Sequence, residues 1–223
     1  MRTRQTRWRR LAPALTVALV IAVVGGVVAV ALLNGVGLAS ARPAPASIWQ
    51  TLAAKPLRLS RLARGQSCAA TPVRQSLSPD YTVSVGAGPV YVVGGAPSGV
   101  VTYIPPSLFN SGLNESGQAA LGGVKVRWQI APSYHGAVLI RGSQLDGPNR
   151  LAFNGGMDQP EGNALDTRPV LSQLRLMGAA ANAPGWSTWV TLTRLSHPGC
   201  YAYQVDGVSF SYTITFQAVS ELG

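Results

Sequence analysis

The chain has 223 residues, 47% of them hydrophobic, and a formal net charge of +10 at pH 7. That charge is unevenly placed: five arginines precede residue 11, six further basic residues (Arg42, Lys55, Arg58, Arg61, Arg64 and Arg74) precede the first acid, Asp80, and residues 75–223 set seven basic against eight acidic side chains, a net of −1. A nucleic-acid binder carries its basic surface on the folded domain with aromatic side chains interleaved, so this distribution excludes nucleic acid as the partner.

In chain order, residues 1–10 hold Arg2, Arg4, Arg7, Arg9 and Arg10 and read as a basic cytoplasmic tail. The 23 residues Leu11–Leu33 carry no charge. As a helix they span about 34 Å, enough to cross the roughly 30 Å hydrocarbon core of a bilayer. The arginines keep the N-terminus inside, so the chain beyond Asn34 is expected outside the cytoplasm. The run therefore predicts a single-pass membrane anchor with the lipid bilayer as its partner. Ala39-Ser40-Ala41 has the small-x-small form of a signal peptidase site, and cleavage after Ala41 would give a secreted product instead. Ala14, Ala18, Ala22 and Gly26 form a stripe of small residues of the sort along which membrane helices can pack.

Residues 34–65 read as linker and basic stem. Pro43 and Pro45 punctuate the linker. Ser47 is placed to cap a short helix running to Ala54, which Pro56 ends. The positive charges of the stem would be attracted to anionic lipid or cell wall.

Residues 66–223 are expected to form the extracytoplasmic domain. Cys68 and Cys200 lie 132 positions apart, and in an oxidising compartment an isolated pair predicts a disulfide. Neither cysteine has a ligand-spaced partner other than His197, so no metal site is expected, and no cofactor. The strand pattern is clearest at the C-terminus. Val208, Phe210, Tyr212, Ile214, Phe216 and Ala218 alternate with polar residues, Cys200–Val205 forms a second strand, and Asp206-Gly207 is expected as the tight turn between them. Upstream, Val126, Trp128 and Ile130 alternate with Lys125, Arg127 and Gln129, which points Trp128 into a core. Further strands are expected at Tyr81–Val85, Val90–Val93, Val100–Ile104, Ala137–Ile140, Leu151–Phe153, Leu174–Met177 and Trp189–Leu192. Many short strands separated by Gly, Pro and Asn read as an all-β antiparallel sandwich.

A tryptophan on a central strand and a long-range disulfide make that sandwich immunoglobulin-like in architecture, although Cys68 precedes the first clear strand and no tyrosine stands two residues before Cys200. Cys68 with downstream Gly88-Pro89-Val90-Tyr91, Lys125-Val126-Arg127-Trp128, Leu139-Ile140-Arg141-Gly142 with Leu145-Asp146-Gly147, and Pro198-Gly199-Cys200-Tyr201 with Val205-Asp206-Gly207 and Phe210 resemble uncharacterised exported proteins of soil bacteria. The resemblance spans most of residues 49–218 and implies a fold but no activity. The use of 16 arginines against two lysines also fits a GC-rich bacterial genome.

Chemistry has few candidates. His135 and His197 stand beside turn residues and lack a nucleophile motif. Ser143 lacks the G-x-S-x-G elbow, and Gly86-Ala87-Gly88-Pro89 fails the dinucleotide fingerprint. Asp158, Glu161 and Asp166 cluster in a polar loop whose spacing fits no calcium loop. Arg141 ends an apolar strand and needs a carboxylate, Asp146 being nearest in sequence. Trp186 and Trp189, three apart in an extended segment, should point to opposite faces, one buried and one exposed. Arg141, Trp186, Trp189 and His135 are thus the candidate ligand contacts. The expected function is a non-enzymatic binding or interaction module tethered at a bacterial cell envelope. The alternative is an envelope hydrolase acting on cell-wall or carbohydrate substrates.

Overall fold

The computed structural model describes residues 46–93, 99–106, 121–159, 169–179 and 185–222. The apolar run Leu11–Leu33, its flanks, the motif at 39–41, Glu161 and Asp166 lie outside the described residues. Among the described residues no helix is long and apolar enough to cross a membrane.

The body is nearly all β, in two sheets. One short helix, α1 (Ile48–Ala53), precedes β1 (Arg74–Gln75), β2 (Val83–Val85), β3 (Val90–Val93), β4 (Val100–Tyr103), β5 (Gly122–Ile130), β6 (Ala137–Gln144), β7 (Ala152–Gly155), β8 (Leu174–Met177), β9 (Ser187–Leu195), β10 (Gly199–Gly207) and β11 (Ser211–Ser220). The first sheet has the order β1-β2-β3-β5-β9-β7, and the second β4-β11-β10-β6-β8. Neighbours are antiparallel except β4 and β11, which run parallel from Gln217↔Val100. This six-and-five arrangement departs from the four-and-three strand plan of immunoglobulin constant-type domains.

Period-two alternation explains the core. Val126, Trp128 and Ile130 of β5 meet Tyr201, Tyr203 and Val205 of β10 and Ile214, Phe216 and Ala218 of β11 between the sheets. Trp128 is fully buried and lies edge-on to Tyr203, with ring centroids 5.1 Å apart. Tyr203 in turn stacks on Phe216 at 4.8 Å. Two inward threonines of β9 satisfy the polar ends of these rings: Trp128 Nε1 donates to Thr191 Oγ1 (3.1 Å), and the Tyr203 hydroxyl donates to Thr193 Oγ1 (2.9 Å). Buried ring donors are thus paired within the core, as their desolvation requires.

Several elements run longer than their patterns suggest. β6 passes through Gly142 because a β-carbon there would collide with Leu151 and with the Ala202 carbonyl oxygen. Glycine is therefore a strand residue here and not a terminator. Gly122, in β5, is likewise overlaid by the Tyr103 ring. The C-terminal hairpin also differs from expectation. Asp206 still pairs with Ser211, so the chain turns through Gly207–Phe210, closed by Gly207 N–H donating to Phe210 O (3.0 Å). Val208 is 60% exposed in that turn. Asp206 is a buried strand residue and not a turn residue.

The largest correction concerns residues 46–65, read above as part of the stem. They lie against the outer face of the second sheet. Ser47 caps α1 as expected, and Gln50 reciprocates from the N3 position to complete a capping box. Leu52, fully buried, packs with Ala137 and Leu139 of β6, Trp49 and Met177. Leu59 and Leu62 pack with Leu145, Cys200 and Ala202. Cys68 and Cys200 form the expected disulfide, with Cα atoms 5.5 Å apart. Because Tyr201 and Tyr203 point inward, Cys200 points outward. The bond therefore fastens the N-terminal strap to the back of a sheet and does not cross the core as in antibody domains. β10 is consequently buried along its whole length.

Candidate functional site

Two features stand out: a polar cluster beneath the strap, and an apolar cleft between the sheets. The cluster is built on adjacent outward positions of β6 and β10, where Gln204 pairs in register with Arg141. Arg141 Nη2 donates to Asp206 Oδ2 (2.7 Å) and to the Lys55 carbonyl (2.8 Å), and Nη1 donates to the Ala53 carbonyl (3.3 Å). Two carbonyls beyond the reach of α1's own ladder thereby gain donors, a common need at helix C-termini. Asp206 also accepts from Ser211 Oγ (2.7 Å) and from Gln204 Nε2 (3.0 Å). Gln204 holds the strap as an amide clamp, accepting from Arg58 N–H (2.6 Å) and donating to the Pro56 carbonyl (2.9 Å). Lys55 Nζ reaches back to the carbonyls of Gly207 (2.6 Å) and Phe210 (3.3 Å). Every bond in this cluster joins strap to sheet or braces one that does. The cluster fastens the strap to the sheet.

The cleft lies between β2, β3 and β5 of the first sheet and β4, β10 and β11 of the second. Val85, Val92 and Val126 line it from one sheet, and Val101, Ile214 and Phe216 from the other, with Tyr203 behind them. It encloses about 50 Å³. An apolar cavity of about 150 Å³ takes benzene, so this one suits a smaller apolar group. Thr71 and Thr215 supply its polar border. They are locked to each other: Thr71 N–H donates to Thr215 O, and Thr215 N–H donates to Thr71 Oγ1, both at 2.8 Å. Burial holds the nearby phenols in their neutral form. The Tyr203 and Tyr212 hydroxyls are pushed well above the usual tyrosine range, Tyr201 is raised to about 12, and Tyr103 is also raised.

The residues singled out in the sequence do not converge. Arg141 pairs with Asp206, whereas Asp146, its expected partner, accepts from the Cys200 N–H (2.9 Å) and braces the disulfide strand. His135 is exposed, and its Nδ1 lies 2.8 Å from the Ala179 carbonyl oxygen. His197 Nδ1 lies 3.4 Å from Asn149 Nδ2. Neither ring is joined to both a hydroxyl and a carboxylate among the described residues. Asp158 forms a two-pronged ion pair with Arg175, whose guanidinium also lies 5.2 Å from the Trp49 ring centroid. Trp186 and Trp189 do not divide into one buried and one exposed ring: both are half-buried. Trp186 rests 5.9 Å from Tyr91, and Trp189 Nε1 donates to the Met177 carbonyl (3.0 Å). Gly86 to Pro89 form the bend before β3.

Sequence reasoning missed the cleft, because its walls are ordinary core valines. It also missed the clamp, because Gln204 reads as a polar position of an alternating strand and Asp206 as the start of a turn. One signal was available: the outward positions of β10 (Cys200, Ala202, Gln204, Asp206) include two small or apolar residues, which a solvated face does not need.

No protein-family model matches the chain, and no curated protein matches it. Among solved structures, the chain is similar to one described as a "Putative Lipoprotein" from Bacillus anthracis, with a TM-score of 0.37 and 9% identity over 70% of this chain and 88% of that one. A likeness this slight carries neither fold nor function to this protein.

Proposed function

We propose that the protein is a tethered binding module of the bacterial cell envelope. Leu11–Leu33 crosses the membrane, the sandwich stands outside it, and the cleft between the sheets receives a small apolar group of a ligand. One observation carries the binding reading. Among the described residues, Arg141, Asp146 and Asp158 are engaged in holding the fold (with Asp206, Cys200 and Arg175), while the cleft presents aliphatic walls with room between them. Apolar walls with a few fixed polar groups at the border are the usual make-up of a ligand site. The disulfide supports the extracytoplasmic placement, since such bonds persist in oxidising compartments.

The test is methyl-resolved NMR of the protein titrated with fractions of a bacterial envelope extract. The proposal expects shifts confined to the methyls of Val85, Val92, Val101, Val126 and Ile214, abolished by Val101→Phe, which fills the cleft. Fractions that move none of these methyls, or that move them equally in the filled variant, contradict it.

A further inference from the structure

We propose that the outward face of the strap is a docking surface for anionic lipid headgroups, which lays the sandwich against the outer surface of the membrane. The inference rests on the tethered reading above and adds a second contact to it. Residues 46–79 contain five basic side chains and no acidic one. Lys55, Arg58, Arg61 and Arg64 recur every third position, and Leu59 and Leu62 repeat with the same period. The structure turns this period into two faces. Leu59 and Leu62 are half-buried against the sheet, whereas Arg58, Arg61 and Arg64 are exposed. A period of three is that of an extended polyproline II chain, in which same-face residues stand roughly 9 Å apart.

These charges do not sit on a loose stem. The amide clamp of Gln204, the bond from Leu62 N–H to Leu145 O (2.8 Å) and the disulfide hold the backbone beneath them. Lys55 is engaged with the hairpin turn and Arg61 Nη1 with the Gly147 carbonyl (2.9 Å). The Arg58 and Arg64 guanidiniums make no hydrogen bond or ion pair with the other described residues. Two apolar side chains are exposed on the same strap, Ile48 at 39% and Leu57 at 41%. Basic residues beside exposed aliphatic ones suit a bilayer surface, where charge meets headgroups and the alkyl group enters the interface. A soluble polyanion would use the charges alone. Chain length agrees: Leu33 and Ala46 are 13 positions apart, so the strap can begin no more than about 45 Å from the end of the apolar run.

The full chain is placed in nanodiscs of phosphatidylcholine, with or without phosphatidylglycerol, and phenylglyoxal modification of Arg58 and Arg64 is followed by mass spectrometry. Arg127, exposed on the other sheet, is the internal reference. The proposal expects the ratio of strap to reference rates to fall about fivefold or more in the anionic discs and to recover in high salt. Equal ratios in both discs overturn it, as does protection by soluble polyglycerol phosphate without protection by the anionic bilayer. A chain that fails to enter the discs refutes the tether alone. Cosedimentation with phosphatidylglycerol vesicles then decides the docking, with binding in the unmodified chain lost in R58Q/R61Q/R64Q supporting it and no binding overturning it.

Discussion

Replacing Asp206 by alanine tests the claim that the polar cluster fastens the strap. The Asp206 side chain has no exposure, and that of Arg141 is 16% exposed. The substitution removes the carboxylate that accepts from Arg141, Gln204 and Ser211, leaving a guanidinium without its countercharge in a nearly closed site. Breaking a buried pair from one side costs about 3–5 kcal/mol. Arg141 keeps the carbonyls of Ala53 and Lys55 and some access to solvent, so the low end, about 3 kcal/mol, applies. With a urea dependence of about 2 kcal/mol per molar, the unfolding midpoint falls by roughly 1.5 M. Arg141→Met combined with Asp206→Leu removes both charges and fills their space, and should cost clearly less than the sum of the two single changes. Urea melts of the parent, R141M, D206L and the double variant give the coupling directly. A D206A midpoint within about 0.5 M of the parent, or strictly additive single changes, would refute the reasoning.

Removing the disulfide with C68S/C200S opens a 132-residue separation and should cost about 2–5 kcal/mol in a non-reducing urea melt; a loss below about 1 kcal/mol contradicts the strap's role as a stapled element. Leu52→Ala should cost about 2–3 kcal/mol and shift the emission of Trp49, which packs beside it, to longer wavelength. Unchanged emission would show that α1 is not docked in solution. Alkaline pH should destabilise the fold. Tyr103, Tyr201, Tyr203 and Tyr212 keep their protons to higher pH when folded than when unfolded, so the unfolded chain releases them first. Their stabilising effect is complete below about pH 10 and is lost as pH rises through 10–12, by up to about 1.4 kcal/mol per pH unit for each tyrosine. Urea melts between pH 8 and 11.5 that show no decline above pH 10 would contradict this.

The two-layer sheet architecture, the disulfide and the inward Trp128 were legible in the sequence because each rests on a local rule. Alternation marks a half-buried strand, an isolated cysteine pair in an exported chain marks a disulfide, and the β-branched Val126 and Ile130 flank the tryptophan on its own face. What was not legible depends on a third layer. Residues 46–65 contain Pro and basic side chains and look like a stem, yet Leu52, Leu59 and Leu62 seat them on the sheet. Once that layer is present, Gln204 changes from a solvated strand residue and Asp206 from a turn residue into buried clamps, and Arg141 finds Asp206 across the sheet and not Asp146 nearby in sequence. The same ambiguity affected Gly142 and Gly122, since a glycine set in a strand by a close neighbour looks in sequence like one set in a turn. The cleft is lined by strands of both sheets, a juxtaposition that no single segment encodes.

The account stands or falls on where the sandwich resides. Intact cells carrying a C-terminally tagged chain, quenched in acid and treated with a thiol mass-tag before and after reduction, report the state of Cys68 and Cys200, while tag antibody on unpermeabilised spheroplasts reports exposure. The account predicts that both thiols are blocked until reduction and that the tag is accessible from outside. Free thiols in the quenched cells together with a tag reached only after permeabilisation would contradict it.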